Sequence, residues 1–219
     1  DYIGYQSDML DGAILRKRLA EMASLGVKSV MFAGEGEPLL HKETNTTVLS
    51  ASHNGLDLAF TTNGVLLHKL REIGLCKWVR VSFNAGTADT YAKVHRTKKE
   101  DFRTVIENLK DAVKRKGTCD LGVQTVILPE NVAEIETLYK ICDDIGVDYL
   151  IAKPYSQHKK SITRKYEDEY PWNDFLNFKS GEGHCEFIYR AETAATKTIP
   201  YDKCHATPNF WAYLMANGD

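Results

Sequence analysis

Long apolar runs are missing from this 219-residue sequence, and none approaches the roughly 18 to 20 residues of a membrane-spanning helix. No secretory leader, with its basic start and short apolar stretch, is visible either. An excess of one charge is lacking too: 28 Lys and Arg stand against 30 Asp and Glu, for a net charge of −2. That balance argues against bulk attraction to nucleic acid and leaves room only for a local basic patch. Cysteines are few, five in all, and no two form a C-x-x-C pair. An odd count at wide spacing is no secreted disulfide framework. Cys76, Cys119, Cys142 and Cys185 each read as a small buried hydrophobe. The expected location is the cytoplasm, with no membrane partner and no strong nucleic-acid signal. The sequence begins at Asp1 rather than Met and closes on a turn-forming Asn-Gly-Asp, so both ends read as cuts within a longer protein.

What is present is an alternation. Residues 11–26 place Ile14, Leu15, Leu19, Met22 and Leu25 at helical spacing, with Gly26 as a stop. Helices are also expected over 43–54, 65–74, 87–95, 99–117 and 131–146, the last with Asn131 as its N-cap. Strands are expected over 27–34, 56–64, 77–86, 120–128 and 147–156. Strands alternating with helices imply parallel βα units. The fold class is therefore α/β, as an open or closed (β/α) barrel, with a doubly wound sheet as the other candidate. No internal repeat is evident beyond this alternation. After Ser156 the rhythm breaks into a charged, aromatic stretch, and Gly181-Glu182-Gly183 reads as a turn.

In either α/β fold a ligand sits at the carboxyl ends of the strands. Those ends here are "AGEGEP", "TTNG", "SFNAG", "TVILPEN" and "AKPYSQH", whereas the opposite ends are plain helix-stop turns. The polar chemistry thus collects at one rim. Its densest part is Gly34-Glu35-Gly36-Glu37-Pro38, where glycines permit close backbone approach and Pro38 sets the turn. Glu35 and Glu37 would share one side of an extended segment. Read as an acid–base pair they would need to flank a glycosidic bond, which two carboxylates on one short segment cannot do.

The order of these pieces resembles that of the radical S-adenosylmethionine (radical SAM) enzymes. Gly34–Leu40 resembles their Gly-Gly-Glu-Pro segment, with Glu35 in place of a glycine; "TTNG" (61–64) resembles their Thr-x-Asn-Gly. "VSFNAGTADTYAKVHR" (81–96) resembles the next strand and helix, "ILPENVAEIETLYKICDDIGVD" (127–148) the following unit, and "KPYSQ" (153–157) the last strand end. The similarity spans roughly residues 10–157. It implies a partial (β/α)6 TIM-like barrel, with a [4Fe-4S] cluster that cleaves S-adenosylmethionine to a 5′-deoxyadenosyl radical, which then takes a hydrogen atom from substrate. The family's C-x-x-x-C-x-x-C motif is not in this sequence; the resemblance implies that it lies upstream of Asp1, outside the visible chain. Cys204, thirteen residues and Gly218 resemble the opening of a SPASM segment, which implies that Cys204 ligates an auxiliary [4Fe-4S] cluster. The implied organisation is a barrel at 1–157, connecting loops and last helix and strand elements at 158–203, and the SPASM-like start at 204–219.

The resemblance implies a cofactor site built from Gly36, Glu37, Pro38, Thr62, Asn63, Ser82, Asn84, Arg96, Gln124, Val126 and Leu128. Glu37 would accept from the cofactor's amino group. Ser82 and Asn84 would meet its ribose or carboxylate, or else cap the strand end. Thr62 and Asn63 would line the rim or make the turn. Arg96 would pair a carboxylate or stay solvated, and Gln124, Val126 and Leu128 would pack near the adenine. Among the histidines only His95 belongs near this site; His158, His184 and His205 read as surface residues. The catalytic residues themselves are unknown. The substrate would be a peptide, a protein or a small molecule, and the electron donor a flavodoxin or ferredoxin. Two other functions compete: a barrel without a cluster acting as a binding or scaffold module, and a redox-free lyase using Lys153 as a Schiff base.

Overall fold

The structure is a computed structural model and describes residues 8–34, 36–155, 183–190 and 212–215. Its strands are β1 (Ser29–Phe32), β2 (Asp57–Thr62), β3 (Cys76–Ser82), β4 (Asp120–Ile127), β5 (Tyr149–Pro154) and β6 (Glu186–Tyr189). All five neighbouring pairs are parallel, and the sheet order is β1-β2-β3-β4-β5-β6. A doubly wound sheet needs a point where strand order reverses. None occurs here, so the barrel-type winding is the one adopted.

The helices are α1 (Gly12–Ser24), α2 (Thr44–His53), α3 (Ala88–His95), α4 (Lys99–Arg115) and α5 (Ile135–Ile145). Alternation along the strands sends Leu58 and Phe60 of β2, Val79 and Val81 of β3, Leu121 and Val123 of β4 and Leu150 of β5 into one buried core. Helix α4 meets them with Val105, Leu109 and Ala112, three and four residues apart, and α5 with Leu138 and Cys142. Burying one such leucine contributes about 2 to 3 kcal/mol. The sheet's other face carries Thr61, Arg80, Ser82, Gln124 and Lys153, and it is called the pocket face below.

Two expectations are corrected. Residues 65–74 form no α-helix but two short 3-10 turns, Leu67–Lys69 and Ile73–Leu75. Leu67, Leu70 and Ile73 are all fully buried, and their spacing of three matches the 3-10 repeat, not 3.6. Asn131 makes no side-chain cap; a 3-10 turn, Val132–Glu134, precedes α5 and the Asn131 amide is used elsewhere. Strand β6 lies within residues 158–203, the segment expected to hold connecting loops and last helix and strand elements; its four residues are too few for a periodic signal to place it.

Candidate active site

At the carboxyl ends of β1, β2 and β3 lies a pocket of about 220 Å³ lined by Gly34, Gly36, Glu37, Thr61, Thr62, Asn63 and Ser82. Its frame is one carboxylate. Glu37 accepts from the Leu39 amide (3.1 Å) and the Thr62 hydroxyl (2.7 Å) at Oε1, and from the Asn63 amide (2.8 Å) at Oε2. Residues 25 and 26 positions apart are thereby joined, and the exits of β1 and β2 are clasped together. Pro38 opens the 3-10 turn Pro38–Leu40, where its missing N–H costs nothing, and Glu37 caps that turn. Gly34 has φ of +151°, a backbone region L side chains rarely adopt, so the approach to Glu37 requires glycine.

Thr62 is tied on both sides: its hydroxyl donates to Glu37 and accepts from the Gly64 amide at 3.1 Å. The Asn63 carboxamide oxygen accepts from Val65 N at 2.9 Å, an Asx turn. Both therefore line the pocket and make its turn. Ser82 ends β3 beside them. Gly34 and Thr61 also line the pocket and were not among the expected site residues. The signal for Thr61 was available: it shares Arg80's row and Ser82's face, whereas Thr62 reaches the rim only by turning its hydroxyl to Glu37.

The remaining expected residues do not line this pocket. Asn84 Oδ1 accepts from Val126 N at 2.7 Å, and its backbone N–H donates to His95 Nε2 at 3.1 Å. Fully buried Asn131 accepts from Leu128 N (2.8 Å) and donates to the carbonyls of Asn84 (2.9 Å) and Val126 (2.8 Å). Asn84 and Asn131 thus stitch β3 to β4, which is the strand-end reading of Asn84. Gln124 is in register with Ser82, and Val126 with Lys153, both on the pocket face. Leu128 is buried just past β4. Arg96 is exposed at the end of α3 in the left-handed conformation (φ 54°) and is not brought to the pocket. Pro38 opens the 3-10 turn next to Glu37 and does not line the pocket. Glu35, His158, His205 and Cys204 lie outside the described residues.

His95 stacks on Tyr91 at 4.2 Å, and burial lowers its pKa to about 4. It is neutral near pH 7. Because Nε2 accepts from an amide, the proton sits on Nδ1. His184 is largely exposed, as expected of a surface residue, and lies 3.7 Å from Asp148. The four described cysteines are buried. Burial pushes the thiols of Cys76, Cys119 and Cys185 up to about 12 and that of Cys142 well above its ordinary value. Such thiols are poor metal ligands. Among the described residues no group of three or more His, Cys, Asp or Glu could hold a metal ion, so an iron–sulfur cluster does not fit them. A small ligand with polar edges does fit the glycine-lined pocket.

A family model described as the radical SAM superfamily matches residues 6–142, more than half of the chain. The chain belongs to the radical SAM superfamily. Enzymes of this family use S-adenosylmethionine and a [4Fe-4S] cluster. Relatives include the probable GTP 3′,8-cyclase of Methanocaldococcus jannaschii, 32% identical over 126 residues, 55% of this chain and 41% of that protein. The GTP 3′,8-cyclase of Chlorobaculum tepidum is 27% identical over 214 residues, 89% of this chain and 63% of that one. The chain thus spans less than two thirds of either relative's length. Among solved structures, Streptococcus suis SuiB superposes with a TM-score of 0.65 at 17% identity, covering 86% of this chain and 46% of SuiB. A TYW1 with a lysine–pyruvate adduct bound gives 0.53 at 17% identity, covering 68% of this chain and 53% of that one. These likenesses show the fold, that of the radical SAM partial barrel.

Proposed function

We propose that this radical SAM chain binds S-adenosylmethionine at the exits of β1 to β3 and directs a hydrogen-atom abstraction from a substrate held across the same rim. The observation that carries this reading is the Glu37 clasp, which builds a glycine-lined pocket at the strand ends where α/β folds hold ligands. S-adenosylmethionine, when bound, supplies the 5′-deoxyadenosyl group that receives the hydrogen. The chain's own residues bind and orient. Three protein donors already fill most of the roughly four acceptor positions of the Glu37 carboxylate, leaving one for a cationic amino group. Gly34 and Gly36 line the same pocket, and Ser82 beside them carries a hydroxyl. Gln124 and Val126 extend that wall along the pocket face toward the middle of the sheet.

The substrate is a peptide, a protein or a small molecule. Two relatives found by sequence carry the name GTP 3′,8-cyclase, which favours a small molecule. The cluster's thiolates and a flavodoxin- or ferredoxin-type donor come from outside the described residues. Residues 1–157 act as the barrel, and Cys204 opens an auxiliary-cluster segment over 204–219. No helix among the described residues is long and apolar enough to cross a membrane. The test is equilibrium binding of S-adenosylmethionine to the full-length, anaerobically reconstituted protein. Glu37→Ala and Ser82→Ala are expected to weaken it; unchanged binding in both removes the site from β1–β3.

A further inference from the structure

Arg80 stands within β3 on the pocket face, two residues before Ser82 and in register with Thr61, both of which line the pocket. Two residues along a strand cover about 7 Å, so Arg80 lies one side-chain layer beneath the Ser82 rim. Its guanidinium lies 4.8 Å from the Trp78 ring centre and 5.9 Å from that of Tyr149. Gly122 makes the second contact possible. It is in register with Arg80 on one side and Tyr149 on the other, and a Cβ there would come within 2.0 Å of the Tyr149 ring. Only glycine lets that ring lie across β4 toward Arg80.

The rings hold the guanidinium without satisfying it. Arg80 Nε is buried with no hydrogen-bond partner, and among the described residues no carboxylate pairs with Arg80. Glu186 shares Arg80's row but stands three strands away. Taking a cation out of water costs free energy unless an acceptor of opposite sign joins it, and contact with ring faces offsets only part of that cost. With rings against it, the guanidinium keeps its edges for a partner. That planar fork is the shape a carboxylate meets with two parallel hydrogen bonds, and its single charge matches a single carboxylate.

The geometry points to Arg80 as the group that binds a carboxylate of the substrate in the layer beneath the pocket, with Trp78 and Tyr149 fixing the fork that receives it. The word substrate rests on the proposed binding of S-adenosylmethionine at β1–β3. The carboxylate of that cofactor is carried by the same carbon as its amino group, so with the amino group at Glu37 both stay at the rim. The anion that reaches Arg80 then belongs to the second partner, which enters the barrel from the same side.

The experiment titrates the full-length protein with benzoate and follows the ligand's NMR signals, with neutral benzamide and phenyl phosphate as comparisons and S-adenosylmethionine binding run in parallel. Benzoate is expected to bind about tenfold more tightly than benzamide, the gain of one charge-assisted contact. Arg80→Gln should erase that preference, and Arg80→Lys, which keeps the charge but not the fork, should retain part of it. The urea midpoint of each variant shows that it is folded; if Arg80→Gln is not, Arg80→Lys is compared with wild type instead. Acetyl-triglycine separates two sources of the carboxylate: binding tighter than benzoate assigns it to the end of a peptide, weaker binding to a small molecule. Benzoate binding no tighter than benzamide, or an equal preference in wild type and Arg80→Gln, overturns the proposal. Phenyl phosphate binding tighter than benzoate overturns the carboxylate in favour of a phosphate. Loss of S-adenosylmethionine binding in folded Arg80→Gln overturns the assignment to substrate, because the cation would then serve the cofactor. Wild-type S-adenosylmethionine binding in Glu37→Ala and Ser82→Ala, with the benzoate preference intact, would instead remove the reading of β1–β3 alone.

Discussion

The two halves of the rim solve opposite electrostatic problems. At β1 and β2 a single carboxylate is held by its own protein: Glu37 takes three donors from two strand exits and keeps one acceptor position open. At β5 and β6 two basic residues, Lys153 and Arg190, stand on adjacent strands, and Arg80 of β3 lies deeper on the same face against Trp78 and Tyr149. Between them runs a neutral seam, in which Asn84, Asn131 and His95 join β3, β4 and α3 through amides and an uncharged ring. The lesson is that polar residues at strand ends divide into those that build the rim and those left over for a ligand. Counting the acceptor and donor positions that the protein leaves open tells them apart, and Glu37 does both.

Breaking the Glu37 clasp should have the largest effect on ligand binding. Glu37→Ala leaves the Thr62 hydroxyl and two backbone amides without their acceptor, and it should weaken S-adenosylmethionine binding about 100-fold, the equivalent of 2 to 3 kcal/mol. Equilibrium dialysis with the reconstituted full-length protein measures it. If Glu37→Gln binds like Glu37→Ala, the charge matters; if it recovers most of the affinity, hydrogen-bond geometry does.

Breaking the seam should cost stability before it costs chemistry. Asn131→Ala removes three hydrogen bonds from a fully buried position and should destabilise the fold by about 3 kcal/mol, read as a shift in the urea midpoint. Asn84→Ala removes the side-chain acceptor for Val126 N and should cost about 1 to 2 kcal/mol on the same measurement.

The seam also makes a pH test. The folded pKa of His95 is lowered to about 4 from an ordinary 6.5, so the folded state favours the neutral ring. The unfolded chain therefore binds more protons between those values, and stability falls as pH drops from about 6.5 toward 4, then levels off. Thermal melts across that range should show the decline, and His95→Gln should flatten it. A flat profile in the wild type would mean that the ring is not held neutral.

Smaller effects concern iron and the second glutamate. The 219-residue chain, reconstituted anaerobically, should hold no complete [4Fe-4S] cluster, because its described thiols are buried and scattered. In the full-length protein Cys204→Ala should lower iron content by the share of one auxiliary cluster while the cleavage of S-adenosylmethionine persists; iron and sulfide analysis decides it. Glu35→Ala should weaken S-adenosylmethionine binding less than Glu37→Ala. A larger loss at Glu35 would shift the register of the motif.

Much of this could be read from residues alone. The five apolar strands and their polar exits follow from alternation, and all five appear as β1 to β5 in parallel order. The order of Gly34–Leu40, "TTNG" and "VSFNAG" pointed to the radical SAM family before any geometry. Residues 65–74 misled because buried leucines three apart satisfy a helical and a 3-10 reading equally well over one turn. Asn131 misled because an Asn before an apolar run suits both an N-cap and a buried bridge, and only the neighbouring strand decides which donors it meets.

Local pattern therefore determined which elements exist and which residues stand at their ends, because periodicity and turn chemistry act over a few residues. It could not determine partners. Whether Glu37 is free or clasped depends on Thr62 and Asn63, 25 and 26 residues away. Whether Arg80 is solvated or pinned depends on Gly122 and on Tyr149, which lies two strands away. Register across the sheet set those meetings, and register is a property of strands packed together rather than of any one of them.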